Sequence, residues 1–93
     1  MTWRLRYTSV AKRQLKALPE QWSNRVAEEI DELQYDPIPG DLKPLRGTRS
    51  LYRLKIPPYR VIYQVHTGRN GGIVRIFRIE MRGPNTYRGF NPQ

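Results

Sequence analysis

No cysteine occurs in this sequence, which excludes disulfides and thiolate metal sites. Histidine is almost as scarce. His66 has no second histidine or cysteine with which to share a metal, and it is expected to be structural or incidental. Neither a metal nor a cofactor is expected. Long apolar runs are missing too. The opening residues MTWRLRYTSV alternate, so neither a signal peptide nor a transmembrane span is expected; this points to the cytoplasm and to no membrane partner. The most informative scarcity is of acid. Residues 43–93 hold one acid, Glu80, against eleven Lys and Arg, whereas residues 1–42 hold seven acids against six cations. The second half therefore carries all of the net charge of +9, the first half being slightly acidic. Such a field attracts a polyanion, with nucleic acid the first candidate. A basic surface that serves solubility, or that mates with an acidic protein, is the plainer alternative.

Its 93 residues suit one domain, residues 1–93, with a single modest core. Residues 2–8 alternate, with Trp3, Leu5 and Tyr7 on one face and Arg4 and Arg6 on the other, which predicts a strand. Thr8 or Ser9 can cap a helix carrying Ala11, Leu15 and Leu18. Pro19 stops that helix and can open a second one with Trp22, Val26, Ile30 and Leu33 as its apolar stripe. Residues 9–36 thus read as a helical hairpin whose stripes are core. Residues 37–48 read as a loop anchored by Leu42 and Leu45. Strands follow at roughly residues 50–56, 59–66 and 73–80, the last two parted by a turn at Asn70-Gly71-Gly72. The tail GPNTYRGFNPQ is expected to be irregular. The order β-α-α-β-β-β predicts an α+β domain, with the helical hairpin packed on one face of a mainly antiparallel four-stranded sheet.

Chemistry concentrates at SLYRLKIPPYRVIYQV, residues 50–65. A symmetric hairpin around Pro57-Pro58 sets Lys55 opposite Arg60, Leu54 opposite Val61 and Arg53 opposite Ile62. Arg53, Lys55 and Arg60 then share one face, and the apolar residues share the other, toward the helices. Proline cannot adopt the positive φ of a type I′ turn, so a loop wider than two residues is expected. Two cations about 6 Å apart repel by about 3 kcal/mol at an effective dielectric of 20. Splaying of exposed side chains relieves most of that, and a solvated face of long cations is the bland reading. A phosphate on this face would reverse the sign of each repulsion. It would also suit arginines, which stabilise charge developing on a transferring phosphoryl group. Lys55, between two arginines, would release its proton more readily and could accept one from a ribose 2′-hydroxyl.

The segments SVAKRQLKALP, DPIPGDLKPLRG, LYRLKIPPYRVIYQV and MRGPNTY occur in an order that resembles the RelE/ParE toxin superfamily of bacterial toxin–antitoxin systems. The resemblance covers almost the whole chain and is most specific at LRG, LYRLKI and YRVIYQV. It implies a RelE-like fold. In the RelE branch it implies a metal-independent mRNA endoribonuclease, or mRNA interferase, that acts in the ribosomal A site. There the 2′-hydroxyl attacks the adjacent phosphate, and translation is inhibited. On that resemblance the catalytic positions are Arg53, Lys55, Arg60, Arg82 and Tyr87. Lys55 is the base, Arg60 and Arg82 hold the phosphate, Arg53 adds charge, and Tyr87 stacks on a base or orients the 2′-hydroxyl. Arg4, Arg6, Lys43, Arg46, Arg49 and Arg78 would contact RNA. The implied partners are the ribosome with its mRNA and a small, acidic, DNA-binding antitoxin. Met81-Arg82 departs from the His-Arg of many relatives, and arginine at position 53 cannot act as a base. The ParE branch shares the fold, inhibits DNA gyrase and lacks the nuclease site. A non-catalytic RNA-binding module is the third reading.

Overall fold

The computed structural model describes residues 3–39, 51–68 and 71–81. They form β1 (Arg4–Tyr7), α1 (Ser9–Ala17), α2 (Glu20–Glu32), β2 (Leu51–Ile56), β3 (Tyr59–Gly68) and β4 (Gly71–Met81). The order β-α-α-β-β-β is as expected. Thr8 is the N-cap of α1: its hydroxyl oxygen accepts from the Ala11 amide at 3.1 Å, one of the donors a helix start leaves unpaired. Lys16 in the last turn complements the helix dipole. Extended backbone at Leu18 and Pro19 ends α1 and starts α2 directly.

The four strands lie in the order β1-β4-β3-β2. The β2–β3 and β3–β4 pairs are antiparallel, and β1 runs parallel to β4. Val26 and Ile30 from α2, Leu33 at its C-cap and Ala11 from α1 close over Tyr52, Ile56, Tyr59, Val61, Tyr63, Val74, Ile76 and Ile79 of the sheet. Trp22 meets Tyr59 edge-on with ring centroids 5.3 Å apart, and Tyr52 stacks on Tyr63 at 5.8 Å. Tyr63 is fully buried, and its hydroxyl donates to the Pro37 carbonyl at 2.8 Å, which ties down the chain leaving α2. Burial pushes the Tyr63 phenol well above its usual range, with Tyr52 and Asp36 adding to the effect. Burial, with a further push from the Asp31 carboxylate, raises Tyr7 to about 12.

Both turns differ from expectation. Ile56 pairs directly with Tyr59, so the β2–β3 loop holds two residues, not more. The Pro57–Pro58 bond is cis, and a cis-proline at the third turn position closes a tight turn without any positive φ. Between β3 and β4 the ladder runs from Gly68 to Gly71, so Gly71 and Gly72 belong to the strand; Asn70 lies outside the described residues. Gly71 has φ +104°, open to glycine. Gly72 lies directly against the Trp3 ring, where a β-carbon would collide. The expected anchors Leu42 and Leu45 also lie outside the described residues.

Candidate functional site

The β2–β3 register is the one the residue pattern predicts. Arg53 faces Ile62, Leu54 faces Val61, and Lys55 faces Arg60. Because residues in register share a sheet face, Arg53, Lys55 and Arg60 come together on the face away from the helices. Lys55 is exposed and Arg53 half-buried.

The third strand adds what the residue pattern did not disclose. From Gly68 to Tyr63 the pairing with β4 is regular, and Tyr63 faces Ile76. The next residue of β3, Ile62, faces Arg78, so Phe77 is an extra residue in β4. This bulge reverses the phase of the strand. Val74 and Ile76 are buried before it, and Ile79 after it. Regular alternation from Val74 and Ile76 would have driven Arg78 and Glu80 into the core. The bulge instead carries both to the open face and sets Glu80 opposite Arg60.

Glu80 divides its carboxylate between two arginines. Arg60 Nε donates to Oε1 at 2.9 Å, and Arg78 Nε lies 3.2 Å from Oε2. The Arg60 and Glu80 side chains are only 13% and 12% exposed, whereas Arg78 is 58% exposed. Arg60 is therefore not an uncompensated cation, as the hairpin alone implied. The repulsion among three like charges is offset by an acid from the neighbouring strand.

Helix α1 fastens the bulge. The Thr8 hydroxyl donates to the Phe77 carbonyl at 2.9 Å, and the Ile79 amide donates to Gln14 Oε1 at 2.7 Å. Pairing of β1 with β4 ends at Ile76, so these bonds satisfy the strand edge where the ladder stops.

Arg4 and Arg6 also lie on the open face, but on β1 at the far edge of the sheet. The row holding Arg6 is four residues, roughly 13 Å along the strands, from the row holding Arg60. Arg75, exposed and in register with Arg6, joins them there and was not singled out from the sequence. Arg78, expected as an RNA contact and as the alternative to Arg82 at the end of the last strand, stands within the central cluster. Arg82, Tyr87, Lys43, Arg46 and Arg49 lie outside the described residues. Among the described residues, no group of three or more His, Cys, Asp or Glu could hold a metal ion, and no helix is long and apolar enough to cross a membrane.

The fold has counterparts among known proteins. An archaeal RelE from the RelE–RelB complex of Pyrococcus horikoshii OT3 is 31% identical, with TM-score 0.72 over 90% of this chain and 99% of that one. A chain of the toxin–antitoxin complex RelBE2 from Mycobacterium tuberculosis is 26% identical, with TM-score 0.73 over 88% and 100%. The chromosomal ParDE system of P. aeruginosa supplies a fold match at 19% identity and TM-score 0.68, over 88% and 98%. A search of curated proteins gives no significant match. Residues 5–83 match the family described as ParE toxin of type II toxin–antitoxin system, parDE. That match takes in the hairpin, the bulge and Glu80 alike, and the chain belongs to the RelE/ParE family of toxins from type II toxin–antitoxin systems.

Proposed function

We propose that this toxin is a ribosome-dependent mRNA endoribonuclease. The observation that carries the reading is the convergence of Arg53, Lys55, Arg60 and Arg78 on one open sheet face, with Arg60 held by Glu80. Fixed guanidinium groups favour a phosphodiester and the charge that grows on it during displacement. The ribose 2′-oxygen forms a bond to phosphorus, the bond from phosphorus to the 5′-oxygen breaks, and the products are a 2′,3′-cyclic phosphate and a 5′-hydroxyl. Lys55 takes the proton of the attacking hydroxyl, and water protonates the leaving oxygen. Arg60 and Arg82 hold the phosphate, Arg53 adds charge, and Tyr87 stacks on a base, a contact worth about 1–3 kcal/mol. Arg4, Arg6 and Arg75, with Lys43, Arg46 and Arg49, contact RNA phosphates on the ribosome.

A small acidic antitoxin that also binds DNA is the expected neutralising partner. Similar chains come from a RelE–RelB complex of Pyrococcus horikoshii and a toxin–antitoxin complex of Mycobacterium tuberculosis, which supports an antitoxin partner. The match to a family named for ParE favours a second reading, inhibition of DNA gyrase without RNA cleavage. Two assays with the same purified protein separate them. The nuclease cuts mRNA in a reconstituted translation system and leaves gyrase supercoiling untouched. Intact mRNA with blocked supercoiling would establish the second reading instead.

A further inference from the structure

The single acid of the second half sits among the cations rather than away from them. Glu80 grips Arg60 and Arg78 through their Nε atoms, at 2.9 and 3.2 Å. A guanidinium carries five N–H groups in a planar fork, so each arginine keeps its terminal amino groups. Among the described residues no other ion pair engages them. Two guanidinium groups and one carboxylate leave one positive charge, which matches the single negative charge of a phosphodiester. Arg60 is almost enclosed and Arg78 largely exposed, so one arm is fixed and the other free to close.

We propose that Glu80 is a positioning residue that sets Arg60 and Arg78 as a two-arginine clamp for one phosphodiester of the RNA. The role rests on the nuclease reading above. It has a signature that a purely structural carboxylate lacks. Removing Glu80 adds net positive charge, so RNA binding holds or tightens, while loss of Arg60 placement slows the chemical step.

The test is single-turnover cleavage of mRNA on programmed ribosomes by wild type, Glu80→Ala, Glu80→Gln, Arg60→Ala and the Arg60→Ala/Glu80→Ala double variant. Glu80→Ala is expected to lower the saturating rate at least about tenfold, with a half-saturating concentration no higher than that of wild type. Adding Glu80→Ala to Arg60→Ala should cost less than Glu80→Ala costs on its own, because part of its effect runs through Arg60 and only the placement of Arg78 is left to lose. Glu80→Gln keeps one carbonyl acceptor and the side-chain volume, and should fall between wild type and Glu80→Ala. A wild-type rate for Glu80→Ala, or an equal loss in the Arg60→Ala background, overturns the clamp and leaves the nuclease standing. A slow rate in both Glu80 variants that tracks a loss of folded protein by circular dichroism also overturns it. Absence of cleavage by the wild-type protein removes the nuclease reading and the clamp together.

Discussion

At Glu80 one carboxylate decides the state of two arginines, and at Lys55 one ammonium stands beside them without such a partner among the described residues. The two sites answer to different tests. Lys55 is exposed, so Lys55→Ala leaves the fold intact and lowers the cleavage rate by at least about tenfold. Primer extension alongside circular dichroism measures both, and a wild-type rate would remove Lys55 from the chemistry. Tyr63→Phe touches only the core. It deletes the bond to the Pro37 carbonyl and should cost about 1 kcal/mol in denaturant unfolding, with cleavage unchanged. The grouping of Arg53, Lys55 and Arg60 was legible because alternation and a symmetric hairpin fix which side chains share a face. The pairing of Arg60 with Glu80 was not, because it depends on a partner strand whose register changes partway along.

That change of register belongs to the element scale. In IVRIFRIEM the apolar residues Val74 and Ile76 are two apart, but Ile79 comes three later. A break in the period of two is the mark a bulge leaves in sequence, and it was present at Phe77 though unread. What stabilises it was not visible in sequence, since Thr8 and Gln14 lie more than sixty residues away. Thr8→Ala removes both the helix cap and the bond to the Phe77 carbonyl, so a loss of about 1–2 kcal/mol is expected. Thr8→Ser, which keeps the hydroxyl, should recover most of it in thermal unfolding. An unchanged midpoint for Thr8→Ala would show that the bulge holds without α1. Gly72→Ala drives a β-carbon into the Trp3 ring and should cost about 1–3 kcal/mol, read by the same measurement. The β2–β3 loop was misjudged because a type I′ turn, which proline cannot enter, is not the only two-residue closure.

For the whole molecule, charge and ionisation set the conditions under which it works. Seven cations, Arg4, Arg6, Arg53, Lys55, Arg60, Arg75 and Arg78, share the open face with Glu80. If they engage about four RNA phosphates, affinity falls roughly fiftyfold for a fourfold rise in salt, because counterions are released on binding. Filter binding of single-stranded RNA across a salt series measures the slope, and a flat line would mean that the face does not meet phosphate. At the alkaline end, the buried phenols limit stability. Tyr7 rises in the fold from the ordinary tyrosine value of 10.0 to about 12. The folded state therefore holds that proton more tightly, and the contribution is complete below pH 10 and is lost as pH climbs toward 12. Tyr63 acts in the same direction. Tyr7→Phe should flatten the fall in stability over that window, as followed by denaturant midpoints.

Attack by a ribose 2′-hydroxyl on the cationic face is the step on which the proposed function rests. It is tested most directly by primer extension on two mRNAs carried by programmed ribosomes, one all-ribose and one with a single 2′-deoxy nucleotide on the 5′ side of the cleaved bond. A cut is expected in the first and none at that position in the second. Equal cutting of both would contradict the chemistry, and no cut in either would contradict the nuclease itself.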